Sequence, residues 1–298
     1  METLILIDGS GLIYRGFYAI PPFFKSPNGM LTNAVFGFTS ILLTLLAGQK
    51  PTYMAVAFDK KGPTFRHKEY KEYKATRVKA PQELYDQIPL VKQVVDTFGI
   101  PGFEADGYEA DDILATIARL LSKKNLQILV ATGDFDVFQI AGPHVAILYP
   151  AKGFKEAVVF DVKGIIEKYG IAPEQIPDYK GLAGDSSDNI PGVHGIGDKG
   201  ATDLLKKYST LENIYEHLPE ITGALKKKLE DGKNDAFMSK KLATLDADVP
   251  LNFDLNACRV KNFDVDAAQR MFGDLGFKSL QKRLDELYGT KTNQGVLF

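Results

Sequence analysis

Three short apolar runs that each lead into an aspartate constrain the fold of this chain more than any other feature. The runs occupy residues 4–7, 53–58 and 128–132, and the aspartates after them are Asp8, Asp59 and, beyond one glycine, Asp134. The runs are rich in β-branched and aromatic residues and show no polar alternation, which is typical of strands buried on both faces. Helical patterns separate them, so the sequence predicts an α/β fold with a mostly parallel central sheet flanked by helices.

The domain boundaries follow from a change of pattern near residue 180. Before it we expect helices over residues 34–47, with Asn33 as N-cap, over 81–98 and over 108–122. After it Gly and Pro punctuate the chain to residue 200, and short Lys-rich helices follow. We therefore expect an α/β core at 1–180, a helical subdomain at 181–288 and a polar tail at 289–298.

Composition excludes several other classes of protein. The most apolar stretch, residues 34–47, is interrupted by Thr and Ser and is too short to span a bilayer. The N-terminus lacks the basic region of a signal peptide. The single cysteine, Cys258, leaves neither a disulfide within the chain nor a Cys-rich zinc module. We expect a cytoplasmic protein.

Nine carboxylates cluster at the predicted strand ends and in three short acidic motifs. They are Asp8, Asp59, Glu109, Asp111, Asp112, Asp134, Asp136, Asp185 and Asp188. Ligands of an open parallel sheet bind at the carboxyl ends of its strands, where these acids would converge and repel one another unless cations neutralise them. All-oxygen ligands suit Mg²⁺ or Mn²⁺, and their number suffices for two ions, as in enzymes that displace a group at phosphorus. The alternative for any single aspartate is a helix cap or a turn.

The remaining charge is basic, which permits a nucleic-acid partner. The chain has 36 Lys and Arg against 38 Asp and Glu, and leaving out the nine carboxylates gives +7. Residues 60–79 hold eight basic residues against two Glu, interleaved with Phe65, Tyr70 and Tyr73. Cations that meet phosphates beside aromatic faces that stack on bases predict nucleic-acid binding, with a solvated charged loop as the alternative.

A glycine-rich turn at residues 192–200 contains the spacing G-x-G-x-x-G of dinucleotide-binding proteins. The turn neither follows a predicted strand nor opens a βαβ unit, so we reject a nucleotide-dependent oxidoreductase. Between two helices, such a turn presents backbone amides to a phosphate.

The motifs together resemble the 5′-nuclease domain of bacterial DNA polymerase I, in the flap endonuclease superfamily. The resemblance covers residues 3–285, and the motifs that carry it are Leu-Ile-Asp-Gly-Ser with Tyr14-Arg15, Val-Ala-Phe-Asp59, Phe65-Arg66, Tyr73-Lys74 with Arg77, Gly-Tyr-Glu-Ala-Asp-Asp, Thr-Gly-Asp-Phe-Asp, Gly-Asp-Ser-Ser-Asp-Asn-Ile-Pro-Gly-Val and Gly-Ile-Gly-Asp-Lys. It implies a PIN-like flap endonuclease fold with a helix–three-turn–helix subdomain. It also implies a structure-specific 5′-3′ nuclease that removes flaps and RNA primers in Okazaki-fragment maturation and repair.

The resemblance also implies roles for individual residues. Asp8, Asp59, Glu109, Asp111 and Asp112 would surround one Mg²⁺, and Asp134, Asp136, Asp185 and Asp188 the other, with Mn²⁺ as a substitute. A basic arch at about 60–98 would cover the site, with Lys74 and Arg77, together with Arg15, at the scissile phosphate. The residues expected to contact DNA are Arg66, Tyr73, Lys74, Arg77, Gly195, Gly197 and Lys199. Some family members bind K⁺ at the glycine turn.

The C-terminal tail indicates a protein partner, and two alternative functions remain open. Gln294, Leu297 and Phe298 resemble the bacterial sliding-clamp-binding pentapeptide, and docking of the apolar pair on the chain's own domain is the alternative. A nuclease-inactive scaffold for branched DNA, or a small metal-dependent ribonuclease, would share the acidic sheet. A scaffold would be free to lose the mutually repulsive acids, and a ribonuclease would lack the arch and the glycine turn. We expect a protein that associates with the nucleoid when bound to DNA that carries a 5′ flap, a nick or an RNA primer.

Overall fold

The buried apolar runs form the centre of a six-stranded sheet. The computed structural model describes residues 1–151, 153–261 and 263–289. Its strands are β1 (Glu2–Asp8), β2 (Tyr53–Ala57), β3 (Gly102–Phe103), β4 (Leu126–Ala131), β5 (Val145–Tyr149) and β6 (Val158–Phe160). Their order in the sheet is β3-β2-β1-β4-β5-β6, and every pair is parallel except β5 with β6. The expected mostly parallel sheet is confirmed.

Fourteen helices surround this sheet in the described residues. They are α1 (Gly9–Ala19), α2 (Asn33–Gln49), α3 (Phe65–Glu69), α4 (Gln82–Tyr85), α5 (Ile88–Thr97), α6 (Ala110–Leu121), α7 (Val162–Tyr169), α8 (Ile176–Ala183), α9 (Asp198–Tyr208), α10 (Leu211–Glu216), α11 (Gly223–Asp231), α12 (Lys233–Ala243), α13 (Val265–Asp274) and α14 (Lys278–Tyr288). None of them is both long and apolar enough to cross a bilayer.

Alternating side chains of the central strands supply two separate cores, one on each face of the sheet. Leu4 and Leu6 of β1 pack on one face with α6 and the helices of residues 176–236. Ile5 and Ile7 pack on the other face with α1, α2 and α5, and also with α13 and α14. The last two helices thus belong to the layer of α2 and α5, although the sequence pattern places them in the helical subdomain.

The strand order creates one crevice at the carboxyl ends of the strands. The chain runs outward from β1 to β2 and β3, then returns to the other side of β1 to form β4 and β5. Connections therefore leave β1 and β4 in opposite directions, and this divergence opens a crevice at the point where ligands bind in doubly wound sheets.

A glycine contact sets the distance between α1 and α2. A Cβ atom on Gly37 would lie 2.7 Å from the Cα of Gly16, so the two helices cross with backbone against backbone. Asn33, expected as the N-cap of α2, is instead its first residue, and its side-chain amide donates to the carbonyls of Phe17 and Ile20 at the end of α1. The side-chain oxygen of Gln87 caps α2 by accepting from Ala34 N at 2.8 Å.

Other local expectations differ from the structure for reasons of packing. The helix expected over 81–98 is broken between α4 and α5, where Pro89 in the first turn of α5 has no N–H to donate to the preceding turn. Helix α5 places Val91, Val94 and Val95 in the core, so this half of the expected arch packs on the sheet instead of covering the site. The residues of the expected clamp-binding motif, Gln294, Leu297 and Phe298, lie outside the described residues.

Gly37→Ala should lower the free energy of unfolding by about 1–3 kcal/mol, because the added methyl group forces α1 and α2 apart. Gly48→Ala is the matched control on the same helix, since a Cβ there meets nothing within 4 Å. The control should leave stability unchanged or raise it by up to about 1 kcal/mol. Urea unfolding measures both, and equal stability of the two variants would contradict the close crossing.

Candidate metal and nucleic-acid site

Two strand-end aspartates meet where the sheet connections diverge. Asp8 ends β1 and is buried; its carboxylate accepts from Gly11 N at 2.8 Å and from the Thr132 hydroxyl at 2.9 Å. The same Thr132 oxygen accepts from Asp134 N at 3.0 Å. Thr132 thereby holds the loop after β4 against the end of β1, and it brings Asp8 and Asp134 to one side of the crevice.

The N-terminus of α6 completes this first group of acids. Asp59, after β2, accepts from Ala110 N at 2.8 Å, while its own backbone N–H donates to the Ser10 hydroxyl at 2.7 Å. Asp111 follows in the first turn of α6. We call Asp8, Asp59, Asp111 and Asp134 the first acidic cluster.

Burial and neighbouring carboxylates raise the pKa of all four carboxyls. Burial raises the pKa of Asp8 to about 7, and the charges of Asp59 and Asp134 add to the shift. Burial also raises the pKa of Asp111 well above its usual value, and Asp134, Asp8 and Asp59 raise it further. The pKa values of Asp59 and Asp134 are raised mainly by burial as well. A cation bound among them would reverse these shifts.

Three more acids form a second cluster beside the first, which we call the second acidic cluster. Oxygen atoms of Asp136, Asp185 and Asp188 lie within 4.8 Å of one another, close enough to share one ion. Asp136 Oδ1 is buried and faces the ammonium of Lys180. Lys180 of α8 makes ion pairs with Asp136 and Asp185. Burial opposes ionisation of Asp185, but this ion pair and the hydrogen bonds from Ser187 lower its pKa to about 2.

Carboxylate oxygens that converge within 4.8 Å of one another, as in the second acidic cluster, are what a divalent cation would neutralise. The ligand atoms are all carboxylate oxygens, which Mg²⁺ and Mn²⁺ prefer. The residues present therefore fit such ions at both acidic clusters.

Segment 70–77, which follows α3, lies against the acids through its basic and aromatic side chains. Lys74 Nζ donates to Glu109 at 2.9 Å, and Arg77 pairs with Asp188. The Tyr73 hydroxyl lies 3.1 Å from Glu109 and 3.0 Å from Asp188. Lys74 has φ 57°, and its backbone N–H donates to the carbonyl of Asp188 at 2.9 Å. Segment 70–77 therefore packs against the acids through these contacts.

Arg66 and Asp112 lie together beneath this segment in a buried ion pair. The guanidinium donates two hydrogen bonds of 2.8 Å to Asp112 and others to the carbonyls of Leu242 and Thr244. Asp112 also accepts from two backbone N–H groups, those of Glu109 and Asp246. Only 1% of Arg66 and none of Asp112 is exposed. In this structure Arg66 is not available to DNA, and Asp112 has no oxygen left for a metal.

Arg15 lines the crevice at its open side. Its guanidinium donates to the carbonyl of Pro150 at 2.8 Å. The crevice has a volume of about 220 Å³ and is lined by Asp8, Gly11, Arg15, Gly133 and Asp134. A larger cleft of about 530 Å³ lies beside α6, but no carboxylate lines it, so the chemistry favours the smaller crevice.

The glycine turn connects α8 to α9 and faces solvent. Gly195, with φ 79°, and Gly197 are exposed, as is Lys199 in the first turn of α9. The carbonyl of Gly195 accepts from Lys228 Nζ at 2.8 Å. Val193 N donates to the carbonyl of Leu182 at 2.8 Å and anchors the turn on α8.

The structure brings eight of the nine predicted carboxylates around the two acidic clusters and separates Asp112 from them. Lys180 and Thr132 belong to the site but were not predicted from the sequence. Thr132 could have been found, because it stands between a strand and the Gly-Asp pair of a motif. For Lys180 the sequence contains no signal, since a lysine in a helix is normally exposed.

A doubly wound sheet with two acidic clusters at its switch point, joined to an exposed turn between two helices, is the arrangement expected of an enzyme that acts on nucleic acids. The sequence matches the model of the N-terminal resolvase-like domain of 5′-3′ exonucleases over residues 3–170 and that of their C-terminal SAM fold over 171–266. The chain belongs to the 5′-3′ exonuclease family. The resemblance derived from the motifs is thus confirmed, as is the assignment to the nucleases.

Curated relatives of similar sequence include DNA polymerases I from several bacteria. That of Caldicellulosiruptor bescii is 43% identical over 283 residues, which are 94% of this chain and 33% of the relative. That of Bacillus subtilis is 43% identical over 286 residues, 96% of this chain and 32% of the relative. The chain thus spans about a third of the length of the curated relatives it matches.

Solved structures of the same fold include phage nucleases and the Rad2 core. T5 5′-exonuclease with bound zinc matches with a TM-score of 0.66 and 22% identity, covering 96% of this chain and 99% of that one. The catalytic core of Rad2 in complex with a DNA substrate matches with a TM-score of 0.62 and 20% identity, covering 96% and 91%. A T5 D15 flap endonuclease complex with DNA and metal ions has a TM-score of 0.67 and 21% identity, covering 96% and 98%. At these identities the likeness concerns the fold.

Arg66→Met should lower the free energy of unfolding by about 3–5 kcal/mol, because it leaves the Asp112 carboxylate buried without its cation. Arg119→Met is the matched control, since Arg119 pairs with Asp248 where both side chains are exposed, and it should cost under about 1 kcal/mol. Urea unfolding followed by circular dichroism measures both. Similar losses of unfolding free energy in the two variants would mean that the buried Arg66–Asp112 pair stabilises the fold no more than an exposed pair does.

Proposed function

We propose that this chain is a structure-specific 5′-3′ exonuclease and flap endonuclease. It would hydrolyse phosphodiester bonds of DNA, and of RNA primers, in Okazaki-fragment maturation and repair. The observation that carries this proposal is the pair of acidic clusters at the carboxyl ends of β1 and β4, in a chain of the 5′-3′ exonuclease family. The solved relatives with DNA or metal ions in their complexes support the substrate class.

The acids would hold two Mg²⁺ ions, with Mn²⁺ as a substitute. The first acidic cluster, with Glu109 beside it, would hold one ion, and the second acidic cluster the other. Asp134 lies between the two, because its carboxylate accepts from Asp136 N at 2.9 Å and it lines the crevice with Asp8. When bound, such ions lower the pKa of a water molecule and stabilise the leaving oxygen of an in-line displacement.

The basic residues of the crevice would bind the scissile phosphate. Lys74 and Arg77 reach Glu109 and Asp188, so their charges already lie at the acids that would surround the reacting group. Arg15 lines the crevice together with Asp8 and Asp134. Donors fixed around a phosphate offset the negative charge that develops on its oxygens.

The exposed glycine turn would hold the duplex backbone. Gly195, Gly197 and Lys199 present backbone amides and an ammonium to solvent at the start of α9, where the helix dipole favours a phosphate. A K⁺ ion at this turn would share the Gly195 carbonyl with Lys228, which already supplies a positive charge there. Tyr73 is buried with its hydroxyl on Glu109 and Asp188, so its contact with DNA would require that segment 70–77 lifts.

The remaining assignments extend this proposal. We assign catalysis to residues 1–180 together with Asp185 and Asp188, and duplex binding to the rest of 181–288, with α13 and α14 packed back on the core. We also assign the enzyme to the cytoplasm, where it would associate with the nucleoid through DNA. Binding of the sliding clamp by residues 294–298 stays a prediction from the sequence.

Asp111→Asn should reduce cleavage of a 5′-labelled flap duplex in Mg²⁺ by at least about 100-fold while DNA binding persists, because it removes a charge from the first acidic cluster. Asp106→Asn is the matched control, since Asp106 is exposed and pairs only with Lys60 among the residues that the structure describes. Cleavage near the junction, measured with Mg²⁺ and with EDTA, should require the metal. Binding without cleavage by the unaltered chain in Mg²⁺ or Mn²⁺ would instead favour the scaffold function.

Lys74→Met should lower the single-turnover cleavage rate by about 100-fold, because it removes a preorganised donor from the scissile phosphate. Lys71→Met, in the same basic segment but exposed, serves as control and should change the rate little. Equal losses in both variants at low salt would show that the segment acts only through its overall charge.

A further inference from the structure

Lys180 is a lysine enclosed by carboxylates. It lies on α8 with only 6% of its surface exposed, and its ammonium contacts Asp136 on one side and Asp185 on the other. Buried lysines require anionic partners, and here the partners are two of the three acids that could share one ion. Its ammonium therefore lies where a divalent ion of the second acidic cluster would also bind.

The backbone holds this arrangement in place. After α8 the chain turns back through Gly184, whose φ of 74° and close neighbours exclude a side chain, because a Cβ there would lie 2.7 Å from the carbonyl oxygen of Ile190. Asp185 and Ile190 then exchange two backbone hydrogen bonds of 2.8 Å. Lys180 and Asp185 are thus fixed on the two sides of one tight turn, and the ion pair does not depend on the mobility of a loop.

The first acidic cluster has no comparable partner. Among the residues described, no Lys, Arg or His nitrogen lies within 4.0 Å of the carboxylates of Asp8, Asp59, Asp111 or Asp134. The two groups of acids therefore differ in the charge that an incoming cation meets. In the first acidic cluster no basic side chain of the described residues contacts the four carboxylates, the nearest being Lys74 on the neighbouring Glu109, whereas the second already contains an ammonium ion.

We infer that Lys180 is a resident counter-cation of the second acidic cluster, which holds Asp136 and Asp185 together without metal and weakens binding of a divalent ion there. The two metal positions would then fill in order, the first acidic cluster before the second. This inference rests on the proposed function in so far as both clusters bind divalent ions. It concerns the affinity of one position and not the reaction itself.

Mn²⁺ binding to the full chain without DNA, followed by calorimetry and by the electron paramagnetic resonance of free Mn²⁺, tests the inference. The unaltered chain should bind two ions with different affinities. Lys180→Met should tighten the weaker position at least about tenfold and leave the tighter one unchanged, because a positive charge at contact distance is removed. Lys240→Met is the matched control, since Lys240 pairs with Asp178 and Glu212 away from the acidic clusters, and it should bind Mn²⁺ as the unaltered chain does.

The melting temperature provides a second readout that does not depend on activity. In EDTA, Lys180→Met should melt well below the unaltered chain, and saturating Mn²⁺ should restore more of its melting temperature than that of Lys240→Met. A Lys180→Met chain that stays unfolded in saturating Mn²⁺ would overturn the inference, because the metal would then not replace the ammonium.

The binding data separate the two proposals. Two ions bound by the unaltered chain, with equal or weaker affinity in Lys180→Met, would overturn the role of Lys180 and leave the proposed function intact. No binding of Mn²⁺ by the unaltered chain would contradict the metal-dependent function, and the inference with it.

Discussion

Mutual repulsion among carboxylates at one edge of the sheet is the constraint on which the rest of this structure depends. Four acids of the first acidic cluster converge at this edge, where their pKa values are raised, and three more lie beside them. Such a group persists only where cations compensate it. The chain supplies part of that compensation itself, through Lys74, Arg77 and Lys180.

The internal cations also connect separate parts of the chain. Arg66 joins α3 to α6 and to the end of α12, while Lys74 and Arg77 hold segment 70–77 against α6 and the loop after α8. The same side chains that would bind a phosphate therefore hold the site together before substrate arrives. Substrate and metal would compete for these contacts, so binding and the position of segment 70–77 are coupled through shared carboxylates.

Strands and acids were predictable to different degrees. The three central strands are continuous apolar runs and were found from the sequence, whereas β3, β5 and β6 are short or lie at the side of the sheet and were not. All nine acids could be selected because each follows a strand or lies in a short motif. The burial of Asp112 could not be predicted, because Glu109, Asp111 and Asp112 are neighbouring acids at the start of α6. Only the direction in which each side chain leaves the helix distinguishes them.

What the sequence by itself determined is the parallel sheet, the acidic edge and the glycine turn, since all three follow from local periodicity and from the order of residues along the chain. Only the tertiary structure decided which charges neutralise which. Arg66 and Asp112 are 46 residues apart, and Lys180 and Asp136 are brought together by the packing of α8 against the loop after β4. Ion pairs of this kind depend on distances across the fold and on burial, and neither can be inferred from the residues that are adjacent in sequence.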